Sequence, residues 1–151
     1  MFLSAYRMGV LDIHNLPPHV RSDTDFYYYN AISPAPVAAL SIEETVYLRP
    51  AVLLHILTNR ITNPCIIKTH SAHIRVNEVA LIPQDKTEGS VYLVRDPRDV
   101  VCSFAKHTGR TIDETIERLN LQNNALKLND GCPIHTWLTT WSNHVGSWGS
   151  V

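Results

Sequence analysis

An α/β layered fold with a parallel sheet is predicted by three observations. Two short apolar runs, Cys65-Ile66-Ile67 and Val91-Tyr92-Leu93-Val94, read as strands and end in polar, charged sequence. The segments around them place apolar residues at helical spacing behind capping signals. Strands separated by helices pack as a sheet covered by helices. Two strands are few for such a sheet, which is the pattern of a partial domain.

Taken in order, residues 1–12 read as the amphipathic remainder of a helix with no cap before it. Asn15 to Pro36 is rich in Pro, Asn, Asp and Ser and reads as a loop, with Tyr27-Tyr28-Tyr29 available to dock it. Ser41-Ile42-Glu43-Glu44 matches a capping box, giving a helical turn. Pro50 then suits the start of a second helix through Val52, Leu53, Ile56 and Leu57. The first strand ends in Lys68-Thr69-His70, and residues 76–90 read as a short helix or turn and a loop. Val91–Val94 leads into a helix over 97–107, with Asp96 as N-cap and Pro97 in the first turn, where its missing N–H is no loss. Val100, Val101 and Phe104 give that helix an apolar face. Thr111-Ile112-Asp113-Glu114 is a second capping box, with Ile112, Ile116 and Leu119 on one side. Asn129-Asp130-Gly131-Cys132-Pro133 breaks the chain, and Trp137, Trp141, Val145 and Trp148 line one side of a final helix.

Composition narrows the function classes. The 151 residues fit one domain with a real core, and 44% hydrophobic with 18% charged residues is a globular balance. A net charge of −1 provides no basic field for nucleic acid, so any anion site must be local. Three scattered cysteines, Cys65, Cys102 and Cys132, form neither a disulfide framework nor a zinc motif, and a cytoplasmic setting follows as the default. No apolar run has membrane-spanning length, and the first residues lack a signal-peptide pattern.

The candidate chemistry lies at the two strand ends. A helix N-terminus offers unpaired N–H groups and the positive end of the helix dipole, and Arg95 adds a planar donor fork matched to phosphate. Ser103, two turns on, can place a hydroxyl on the same anion. Lys68 and His70, two residues apart on a strand, share a side, while Thr69 points away. Ligands of open α/β sheets bind outside the carboxyl ends of strands, so Lys68, His70 and Arg95 are expected on one rim. Each residue also has a plainer role open to it: Arg95 paired with Asp96 or Asp99, Ser103 bonded back to its helix, Lys68 and His70 solvated at a strand end, and the tryptophans packed in the core. Arg98 is expected in an ion pair with Asp99 or Asp113.

The stretch Val91-Tyr92-Leu93-Val94-Arg95-Asp96-Pro97-Arg98-Asp99-Val100-Val101-Cys102-Ser103-Phe104 closely resembles the 3′-phosphate-binding motif of the sulfotransferases that use 3′-phosphoadenosine 5′-phosphosulfate (PAPS). Ile66-Ile67-Lys68-Thr69-His70 resembles that family's Lys-Thr-His strand end, and Trp141-Ser142-Asn143-His144-Val145-Gly146-Ser147-Trp148 its Trp-rich downstream helix. The likeness covers roughly residues 40 to 151. It implies a partial three-layer fold of the P-loop NTPase type forming one domain over 1–151, with Arg95 and Ser103 as the 3′-phosphate clamp, His70 as catalytic base and Lys68 as electrostatic helper. It further implies PAPS as co-substrate, no metal, and a small-molecule hydroxyl or amine acceptor, with no nucleic-acid or membrane partner.

The chain departs from that family in two places. The family's first strand and Pro-Lys-Ser-Gly-like 5′-phosphosulfate loop have no counterpart, since none of the four lysines (68, 86, 106 and 127) lies in a glycine-rich loop. Its C-terminal Gly-rich, Lys-containing segment has none either. The expectation is weak or absent transfer by this polypeptide alone. The rival expectations are a non-catalytic 3′-phosphonucleotide-binding or interaction module, and a different phosphate-using α/β enzyme, which the missing Gly-x-x-x-x-Gly-Lys loop disfavours.

Overall fold

The computed structural model describes residues 20–60, 63, 65–126 and 134–149. The helical reading of residues 1–12 and the break at 129–133 lie outside them. The described chain mixes helices with short strands, and one pair of strands is parallel: β1 (Val20–Ser22) runs alongside β2 (Ile66–Lys68) in the register Val20↔Ile66, Ser22↔Lys68. The backbone N–H of Asp23 donates to the Lys68 carbonyl at 3.2 Å and carries the pairing one residue past the ladder.

The connection between these strands holds most of the core. Helix α1 (Phe26–Ile32) occupies part of the segment read as a loop from its Pro and Asn content. Asp25 caps it, its carboxylate accepting from the Tyr27 N–H at 2.9 Å, and the core burial of Tyr28 and Tyr29 outweighs their modest helix propensity. Helix α2 (Ile42–Thr58) opens on the expected capping box: Glu44 N–H donates to Ser41 Oγ at 3.2 Å, and Ser41 N–H donates to Glu44 Oε2 at 2.7 Å. It runs without a break through Pro50, correcting the two-helix expectation. Pro50 has no N–H to give and removes one helical hydrogen bond, but it lies on the exposed side while Val46, Val52, Leu53 and Ile56 are buried. Tyr28, Tyr29, Val37, Val52, Ile56 and Ile134 form one apolar cluster, with Ile67 of β2 packed against it.

After β2 the chain makes a hairpin where a short helix or loop was expected. Strands β3 (Arg75–Val76) and β4 (Val79–Ala80) pair antiparallel around Asn77 and Glu78, at φ 46° and 64°. Two left-handed residues in succession match the twist of a tight hairpin, which explains an Asn at the first position. Residues 91–96 then join no ladder, correcting the strand expected at Val91–Val94. Apolar residues favour a strand only where a neighbour supplies backbone partners, and no described strand lies beside this one. Val91, Leu93 and Val94 are 81%, 72% and 59% exposed.

Helix α3 (Pro97–Thr108) matches its expected start: Asp96 accepts from the Arg98 N–H at 2.9 Å, and Pro97 takes the first turn. It stops at Gly109, whose φ of 66° is the left-handed conformation glycine adopts at little cost. Helix α4 (Ile112–Leu119) opens on the second capping box, Thr111 with Glu114. Its buried residue is Thr115, while Ile112 and Ile116, on the apolar side read from the sequence, are exposed. Strands β5 (Ala125–Leu126) and β6 (Thr136–Trp137) pair antiparallel, and α5 (Trp141–Gly149) closes the described chain. Trp137 thus belongs to a strand, and only Trp141, Val145 and Trp148 share the final helix.

Candidate functional site

Lys68 ends β2, and His70 follows two residues later. Both are exposed while Thr69 between them is half-buried, as strand alternation requires. The pKa of His70 lies below the ordinary imidazole value. Hydration lost to neighbouring atoms is the largest cause and the Lys68 ammonium the second, opposed by the Asp23 carboxylate. At neutral pH the ring is therefore uncharged and able to accept a proton. The influence of Lys68 on His70 agrees with both side chains facing one side.

The turn after His70 is held at several points. The Ser71 N–H donates to Thr69 Oγ1 at 3.0 Å, the Arg49 guanidinium donates to Ser71 Oγ at 3.3 Å, and the Trp148 indole N–H donates to the Ser71 carbonyl at 3.3 Å. One residue on, the Ala72 N–H donates to the Trp137 carbonyl at 2.8 Å. Arg49 also donates from Nε to the Leu81 carbonyl at 2.9 Å and pairs with Asp23 directly after β1, each side chain 2% exposed. A buried ion pair thus ties both strand ends to α2.

Arg95 lies in the segment leading into α3. Its Nε stands 3.5 Å from Asp99 Oδ2, with both side chains exposed, so the plainer pairing weighed from the sequence occurs. Ser103 is exposed on α3, one turn beyond Asp99, and residues 95, 99 and 103 follow one another at four-residue spacing. Arg98 pairs with Asp96 at 2.6 Å, in place of the predicted Asp99 or Asp113. The Asp96 pKa is held low by hydrogen bonds from the Arg98 side chain and backbone. Two arginines and two aspartates leave this end of α3 with no net charge. An anion approaching Arg95 would compete with Asp99 for its guanidinium.

Contacts bring the segment after β2 and the segment before α3 together through α5. The Tyr92 ring, three residues before Arg95, stacks on Trp148 at 5.7 Å between centroids and 12° between planes. Trp148 also meets His73, three residues after His70, at 5.4 Å and 41°. Tyr92 Oη lies 3.2 Å from His144 Nδ1. Trp148, read from the sequence as core packing, is thus half-buried between the two motif segments. The shared contact runs through His73, Trp148 and Tyr92, and no hydrogen bond or ion pair joins His70 to Arg95 among the described residues.

Arg49, Asp23 and Ser71 escaped the sequence reading, although Arg49 carried a signal. It occupies a position of α2 flanked at helical spacing by Val46, Val52, Leu53 and Ile56, where an arginine needs a buried acceptor. Nothing local marked Asp23 as that acceptor. Among the described residues, no group of three or more His, Cys, Asp or Glu side chains is placed to hold a metal ion, and no helix is long and apolar enough to cross a membrane. Cys65 and Cys102 are free thiols. Comparison with known proteins finds no matching family model, no matching curated protein and no matching solved structure.

Proposed function

We propose that this chain is a sulfotransferase-type domain that binds a 3′-phosphonucleotide through Arg95 and Ser103. In this reading it adopts the sheet architecture of the P-loop type. The observation that carries the proposal is the 14-residue stretch from Val91 to Phe104, with its arginine at the helix entrance and its serine eight residues on. The solvent exposure of both side chains, Arg95 just before α3 and Ser103 on it, supports it. PAPS supplies the sulfuryl group when bound. His70, neutral at pH 7, would take the proton of an acceptor hydroxyl or amine, and Lys68 would offset negative charge on the transferring group.

Transfer by this polypeptide alone should be weak. None of its four lysines lies in a glycine-rich loop able to grip the 5′-phosphosulfate, and removing even one donor of an oxyanion-type site lowers rates by about 10²–10³-fold. That absence also favours the second reading, a binding module that retains the 3′-phosphate clamp without turnover. Titration calorimetry with adenosine 3′,5′-bisphosphate and with adenosine 5′-monophosphate tests the clamp. Selective binding of the bisphosphate, lost in Arg95→Ala, supports both readings; equal binding of the two nucleotides, or none, overturns them. A PAPS assay against alcohols, phenols and amines then separates enzyme from module, and turnover on the order of 1 s⁻¹ would overturn the expectation of weak transfer.

A further inference from the structure

We propose that Trp148 is a positioning residue that fixes the turn bearing His70 relative to the segment bearing Arg95. The inference rests on the reading of His70 as the base, and it adds a residue to which that reading gives no role. Three contacts of the indole carry it. Its N–H donates to the Ser71 carbonyl, one residue after His70. One face meets His73 and the ring stacks on Tyr92. The preceding residue strengthens the grip, because the His73 N–H donates to Ser147 Oγ at 3.0 Å. The end of α5 thus holds residues 71 and 73 on one side and residue 92 on the other, across 77 and 56 positions of sequence (148 − 71 and 148 − 92).

The chemistry explains why a tryptophan serves here. Only its ring offers a broad apolar face for two aromatic neighbours together with an N–H donor for a carbonyl at its edge. Arg49 fixes the hydroxyl of Ser71 from the core side, and Trp148 fixes its carbonyl from α5. With Ser71 held at its N–H, hydroxyl and carbonyl, the backbone immediately after His70 has little freedom. A displacement of about 1 Å in a reacting group can lower a rate by about 10²-fold, which is the scale such a strut controls.

Two variants of the full chain test the proposal by NMR of the histidine ring protons, assigned with His70→Gln. Trp148→Phe keeps an aromatic face but removes the N–H donor; Trp148→Leu removes both. The expected result is a shifted or split His70 signal in Trp148→Phe, with its titration midpoint moved up toward that of a free imidazole. Bisphosphate affinity should stay within about twofold of the parent. Trp148→Leu should move the His70 signal further and weaken the bisphosphate as well. A His70 signal and midpoint unchanged in both folded variants overturns the proposal. If either variant unfolds, hydrogen exchange of the wild-type indole N–H decides: protection supports the bond to Ser71, and exchange as fast as a free indole overturns it. Failure of the parent chain to bind the bisphosphate would sink the functional reading while leaving this strut to be judged on His70 alone.

Discussion

Arg49 and Asp23 form a buried ion pair that joins the middle of α2 to the end of β1, and the same guanidinium reaches Ser71 and the Leu81 carbonyl. Four parts of the chain therefore meet at one side chain. Asp23 Oδ1 is buried and has no hydrogen-bond partner among the described residues, so this carboxylate depends on the guanidinium to offset its lost hydration.

Removing one member of such a pair leaves an uncompensated charge in the interior. Arg49→Met is expected to lower stability by about 3–5 kcal/mol, read from urea unfolding at pH 7. Adding Asp23→Leu should recover a large part of the loss, because an apolar pair of similar size carries no desolvation penalty. A loss below about 1 kcal/mol in Arg49→Met, the range of exposed pairs, would contradict the buried geometry.

Asp99 should hinder anion binding. Its carboxylate lies 3.5 Å from Arg95 Nε in an exposed pair, a contact worth about 0–1 kcal/mol. Asp99→Asn is expected to tighten adenosine 3′,5′-bisphosphate binding by up to about fivefold, measured by calorimetry at low salt. Weaker binding in this variant would show that Asp99 orients Arg95 rather than competing for it.

Stability should fall on mild acidification. His70 and His144 both have native pKa values below the ordinary 6.5, chiefly through lost hydration. Below pH 6.5 the unfolded chain binds more protons than the native one, so stability is fully present above that value and declines as pH drops toward the native pKa values. Protonated His144 would also carry an N–H at Nε2, which is buried with no acceptor among the described residues. The thermal midpoint at pH 5.5 should lie below that at 7.5, and His144→Phe should shrink the difference. Equal midpoints in the parent chain would refute this.

The segment from Val91 to Val94 should drive self-association. Three large apolar side chains stand exposed beside backbone that joins no ladder, a template for pairing with another chain. Leu93→Lys is expected to lower light scattering during heating at micromolar concentration while leaving the far-ultraviolet dichroism unchanged. Scattering that is the same in both proteins would place the association elsewhere.

The same segment shows where reading the sequence works and where it stops. Asp96-Pro97, Ser41 with Glu44, and Thr111 with Glu114 all act as the caps they resemble, since each needs only residues within one helical turn. Ile66–Lys68 forms its strand because β1 lies alongside. Val91–Val94 has equal strand propensity but no described neighbour, and pairing is a property of two segments. Pro50 misled in the opposite sense: a local helix breaker was overridden by the burial of Val46, Val52 and Ile56 on the other side of α2.

Residue types and short spacings alone determined the capped starts of α2, α3 and α4 and the strand ending at Lys68, because capping and strand alternation act over a few residues. Tertiary structure decided which carboxylate answers Arg49 and that Trp148 reaches Ser71 and Tyr92 from α5. Those contacts depend on distance in space, and a buried charge or an indole N–H finds its partner only once distant segments have packed around it.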